Sequence, residues 1–126
     1  MIVSIDWSTV RAGKLGELQV AMKGLVDFVD ANEPRPLAYH VYFNEDATTM
    51  AVFQVHPDSA SMEYHMEVAA PEFAKVKDLL ELSAIEIYGD ASDKLLGQLR
   101  KKAQLLGGAT LAAHDLHAGF TRFTVR

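Results

Sequence analysis

The sequence predicts one α+β domain in which the elements run β-α-β-β-α-β and then add a further α-β pair. Three observations carry this expectation. Short runs alternate apolar and polar residues, helical-period stripes separate them, and turn or cap residues stand at the junctions. The 126 residues, 49% hydrophobic, are the right size for a single domain with its own core.

Ile2 to Ser8 alternates, with Val3, Ile5 and Trp7 on one side and Ser4, Asp6 and Ser8 on the other, which predicts a half-buried strand with Asp6 pointing away from the core. Arg11-Ala12-Gly13-Lys14 makes a turn. Leu15, Leu18, Met22, Leu25 and Val29 then recur at helical spacing, and Asn32-Glu33-Pro34 ends that helix. Leu37 to Asn44 and Thr48 to Val55 read as a hairpin closed by Asn44-Glu45-Asp46.

Pro57 stops the second hairpin strand, and Asp58 or Ser59 caps a helix with Met62, Met66, Ala69 and Phe73 on its stripe, bent or restarted at Pro71. Leu82 to Tyr88 is a fourth strand closed by Gly89-Asp90. Ser92 caps a third helix with Leu95 or Leu96, Leu99, Ala103 and Leu106 inward, Gly107-Gly108 stops it, and a last β-like segment runs from Thr110 to about Val125. This order, with helices on one face of the sheet, is the ferredoxin-like arrangement, with a core over about 1–90 and a helix-strand extension over about 91–126.

Composition narrows the chemistry. With a formal net charge of −5 and scattered basic residues, a nucleic-acid partner is not expected. Arg100-Lys101-Lys102 reads as cations complementing a helix C-terminus. No cysteine is present, so thiolate catalysis and disulfides are excluded. No window approaches a membrane span and no leader pattern opens the chain, so a cytoplasmic protein without a membrane partner is expected. Neither a glycine-rich phosphate loop, a nucleophile elbow nor a paired-histidine metal motif occurs, and no metal or cofactor is expected. His114 and His117 are expected on opposite sides of the last strand.

Placing Ile5, Trp7, Tyr39, Val41, Phe53, Val55, Ile85 and Ile87 under the helices puts Asp6, His40, Tyr42, Gln54, His56, Glu86 and Tyr88 together on the other sheet face. Such a face is either solvated or closed against a second subunit around a shared lumen. In the lumen reading Tyr42 and Tyr88 supply aromatic walls, and Asp6, Gln54 and Glu86 polar contacts. His40, His56 and, from the helix, His65 are the candidate proton acceptors.

Val10-Arg11-Ala12-Gly13-Lys14 before an amphipathic helix, the Tyr39-to-Val55 hairpin, and His65 followed by Ala70-Pro71-Glu72-Phe73 resemble the antibiotic biosynthesis monooxygenase-like proteins of the dimeric α/β barrel superfamily. The resemblance implies a homodimer and cofactor-free oxygenation of a phenolic or quinol substrate, with a helix histidine at position 65. Many relatives carry tryptophan where this chain has His56. The asparagine, tryptophan and histidine set of related haem-degrading members falls on Asp6, His65 and Lys75, which disfavours haem degradation. Two other readings stand beside the oxygenase: a non-catalytic module that binds or senses a small aromatic ligand, and a structural dimer without ligand.

Overall fold

The structure, a computed structural model, describes residues 1–123. Among these residues the elements are β1 (Ile2–Val10), α1 (Leu15–Asn32), β2 (Ala38–Phe43), β3 (Thr49–His56), α2 (Ser59–Val68), α3 (Ala70–Lys75), β4 (Leu80–Gly89), α4 (Asp93–Leu105) and β5 (Thr110–His114). The strands form one sheet in the order β2-β3-β1-β4-β5. The first four pair antiparallel and β5 joins β4 in parallel, so the ferredoxin-like arrangement is present with one added strand. No helix of the described residues is long and apolar enough to cross a membrane.

Local chemistry sets the boundaries. The Asp58 carboxylate accepts from the Ser61 N–H at 2.8 Å, and the Ser92 hydroxyl accepts from the Leu95 N–H at 3.0 Å, capping α2 and α4 as expected. The helix after the corner does restart, with Pro71 in the first turn of α3. Gly89 closes β4 at φ 109°, where any Cβ would collide with the Met1 carbonyl. On α1, Leu18, Met22, Leu25 and Val29 are buried against the sheet, each side chain stabilising the fold by about 1.5–3 kcal/mol.

The register corrects the expected faces. On β1 the residues under the helices are Ile2, Ser4, Asp6 and Ser8, and on β3 they are Met50, Val52, Gln54 and His56. Val3, Ile5 and Trp7 point with Ala51 and Phe53 to the uncovered side. Both strands alternate as expected but in the opposite sense, because here polar residues face the helices and apolar ones face away. The sense was right for β2, where Tyr39 and Val41 face the helices, and for β4, where Ile85 and Ile87 do. A bulge at Ser83, whose hydroxyl donates to the Trp7 carbonyl, keeps Leu80 and Leu82 on that same side.

Two smaller expectations change as well. Lys102 does not decorate a helix end in solvent: it is buried and pairs with Asp6 at 2.6 Å. β5 stops at His114, so His117 lies beyond the strand; of the expected segment, Val125 falls outside the described residues.

Candidate functional site

The strand-to-helix corner brings the polar interior together. β3 delivers Gln54 and His56 to the covered face. Ser61 and His65, one helical turn apart on α2, descend onto them from above. Glu33 caps the C-terminus of α1, its N–H still bonding the Val29 carbonyl while its extended backbone and Pro34 stop the helix, and its carboxylate is buried. Gln54, His56, Ser61, Glu33 and His65 are all buried.

The geometry separates two histidine roles. The Glu33 carboxylate accepts from His65 Nδ1 at 2.9 Å, with both side chains fully buried. That bond fixes the Nδ1–H tautomer and leaves Nε2 with a free lone pair. His65 Nε2 has no hydrogen-bond partner, and neither has Gln54 Nε2. Tyr39 and Phe73 meet the His65 ring edge-on at 5.3 and 5.5 Å, and His56 lies 5.8 Å away. A buried imidazole with one nitrogen held by a carboxylate and the other unpaired is arranged as a proton acceptor.

His56 is arranged differently. Its Nε2–H donates to Gln54 Oε1 at 2.9 Å and its Nδ1 accepts from the Ser61 hydroxyl at 2.8 Å, so both nitrogens are occupied. Desolvation, reinforced by His65, pushes its pKa down to about 3. The unfolded chain, with an ordinary value near 6.5, therefore binds this proton first. The His56 contribution to stability is full above pH 6.5 and is expected to fall by up to about 1.4 kcal/mol per unit as pH drops from there towards 3. Urea melts at stepped pH check this: His56→Gln should flatten the slope, and an unchanged slope would assign it elsewhere.

Beside this cluster lies a second polar group. Asp6 and Lys102 line a cavity of about 30 Å³ together with Tyr39 and Phe73. Lys102 Nζ sits 4.3 Å from the centre of the Phe73 ring. Burial of its phenol end, then the Asp6 and Glu33 charges, push the Tyr39 hydroxyl well above its usual range, so it stays neutral. Outside, a cleft of about 530 Å³ runs between α1 and the edge strand β2, and Tyr39 and Met22 line both spaces. A neighbouring depression reaches Glu33 and again touches Tyr39.

The expected site residues are thus divided by the sheet. Asp6, Gln54, His56 and His65 lie beneath the helices, whereas His40, Tyr42, Glu86 and Tyr88 lie on the uncovered side, as strand parity requires. His40 is exposed and bonds the Tyr42 hydroxyl at 3.0 Å. Tyr88 donates to Glu86 and stacks on His114 at 4.6 Å. A shared lumen lined by all seven polar residues is therefore not formed. Among the described residues no three His, Asp or Glu side chains approach closely enough to hold a metal ion.

Sequence reasoning missed Glu33, Ser61, Tyr39, Lys102 and Phe73 as site residues. The available signals were an acidic residue at a proline-terminated helix end, and a serine one turn ahead of His65.

No protein-family model matches the chain, and no curated protein matches it in sequence. Solved structures do. MupZ from Pseudomonas fluorescens superposes with a TM-score of 0.75 over 96% of this chain and 93% of its own, at 16% identity. A candidate antibiotic biosynthesis monooxygenase from Nitrosomonas europaea matches with a TM-score of 0.62 over 73% of this chain and 100% of its own, at 18% identity. One from Deinococcus radiodurans gives 0.60 over 73% and 94%, also at 18% identity. The fold is that of the antibiotic biosynthesis monooxygenase-like proteins. Within the antibiotic biosynthesis monooxygenase-like fold the shorter matches leave about a quarter of this chain uncovered, while a match over 96% must run into the extension that carries α4.

Proposed function

We propose that the chain is a cofactor-independent oxygenase acting on a small phenolic or quinol-like aromatic molecule, with His65 as the proton acceptor. The observation that supports this reading is the unpaired Nε2 of a buried His65 whose Nδ1 is held by Glu33. His65 takes a proton from the substrate, and Glu33 stabilises the imidazolium that forms. The resulting carbanion or phenolate is the reductant for dioxygen. For an anthrone-type CH₂ the oxygen–oxygen bond breaks, one oxygen atom becomes the product carbonyl, the other leaves as water, and His65 returns its proton.

The remaining groups bind and orient. Tyr39 and Phe73, both edge-on to His65, are the aromatic groups nearest its free nitrogen against which a substrate ring would pack, and His56, already hydrogen-bonded on both nitrogens, serves as a neutral wall. The space of about 30 Å³ beside Asp6 and Lys102 is too small for an aromatic ring, so entry requires Tyr39 and Met22 to yield towards the α1–β2 cleft. Oxygen uptake by chelator-treated protein over a panel of anthrones, hydroquinones and catechols tests the reading. Saturable uptake supports it. A flat trace with thermal-shift positives from the same panel converts the site into a binding module.

A homodimer belongs to the same proposal. Val3, Ile5, Trp7 and Phe53 make the uncovered sheet face apolar, with Trp7 42% exposed and Tyr42 55% exposed. A second copy laid face to face would cover them and leave one complete site under the helices of each chain. Trp7→Asp is then expected to convert a dimer to a monomer in size-exclusion chromatography with light scattering. A wild-type monomer at micromolar concentration would rule this interface out.

A further inference from the structure

We infer that the Asp6–Lys102 pair is a hydroxyl-binding subsite, so that the ligand is a flat, largely apolar molecule with a second hydroxyl beyond the one facing His65. The inference rests on reading the space beneath the helices as the binding site.

Hydrogen-bonding capacity left over at the pair is the first argument. An ammonium group has three donors. Among the described residues Lys102 Nζ uses one, to Asp6 Oδ2 at 2.6 Å. Asp6 Oδ1 receives only a long contact, at 3.5 Å, from the Ser4 hydroxyl. Spare donors and a spare acceptor thus belong to two residues that line one small cavity of about 30 Å³, room for a small polar group and too little for a ring. A hydroxyl both donates and accepts and has that size.

Charge narrows the choice further. Lys102 repels an ammonium group and Asp6 repels a carboxylate, but the pair as a whole is neutral and accepts a neutral hydroxyl without that opposition. The rest of the wall includes Met22, Leu25 and Val52, apolar neighbours for a hydrocarbon ring that enters as Tyr39 and Met22 yield. Phe73 lies against both groups, with Lys102 Nζ 4.3 Å from its ring centre and the His65 ring edge-on at 5.5 Å, so the subsite and His65 stand on either side of one aromatic ring. Lys102 comes from α4, beyond the βαββαβ core, which gives the extension a role in choosing the ligand.

Hydrogen bonds to charged groups correspond to roughly ten- to a hundredfold in affinity. The test is calorimetric titration under argon with 1,5-dihydroxynaphthalene and with 1-naphthol, which differ only in the second hydroxyl. The diol is expected to bind wild-type protein at least about tenfold tighter. In Asp6→Leu/Lys102→Met the two are expected to bind alike, at the affinity of 1-naphthol. Asp6→Val/Lys102→Leu, which likewise removes every donor and acceptor of the pair, serves the same end if the first variant does not fold.

Equal affinities in wild-type protein, a preference that survives removal of the pair, or no heat from either naphthol would each overturn the subsite. Because oxygen is excluded, the two proposals fail separately. A missing preference alongside intact oxygen uptake sinks the subsite alone. A clear preference in protein that consumes no oxygen keeps the subsite and sinks the oxygenase.

Discussion

His65→Gln is expected to lower turnover on the order of 10²–10⁴-fold, the usual contribution of a positioned general base. Glutamine suits the test because its amide N–H can still donate to the buried Glu33 carboxylate. Alanine would strand that carboxylate without a partner and confuse lost catalysis with lost stability. Steady-state oxygen uptake, read beside a thermal melt, separates the two effects. Glu33→Gln should keep the fold yet cost on the order of 10²-fold, since the imidazolium then lacks its counter-charge. His40→Ala, on the far side of the sheet, should leave the rate alone. If His65→Gln retains full activity, the proton goes elsewhere.

Lys102→Met is expected to destabilise the fold by about 3–5 kcal/mol, because it leaves Asp6 buried and charged with only the Ser4 hydroxyl near it. For a domain of this size that is a fall in melting temperature on the order of 10–20 °C. The cost belongs to the orphaned carboxylate more than to the lost contact. Asp6→Leu/Lys102→Met should therefore regain most of the loss, since Asp6 stands between Val52 and Ile85 in the sheet, where an apolar side chain packs well. A double variant no more stable than Lys102→Met would mean that the pair acts as packing rather than as charge.

These two sites mark where sequence reading succeeded and where it failed. The element order, the caps at Asp58 and Ser92, the hairpin and the restart at Pro71 were legible because each depends on local chemistry within a few residues. His65 could be singled out for a similar reason, standing at the edge of the buried stripe one turn after Met62 on the helix that follows the corner. What could not be read was the sense of β1 and β3. Their alternation is clear, but Ser4, Asp6, Gln54 and His56 look like a solvent face only until their partners are known.

Those partners are remote in sequence. Lys102 reaches Asp6 across 96 positions, and Glu33 reaches His65 across 32, so no window on the chain contains either pair. An apolar outer face removes the other cue: with Trp7 and Phe53 pointing away from the helices, hydrophobicity no longer reports which side is inside.

The acceptance of a proton by His65 can be watched directly by adding 1,8-dihydroxyanthrone to the protein under argon at neutral pH and recording the visible absorption of its anion. The account predicts an anion band that saturates with protein and is lost in His65→Gln, although the ligand still binds. Binding to wild-type protein without the band, or an equal band in the variant, would contradict it.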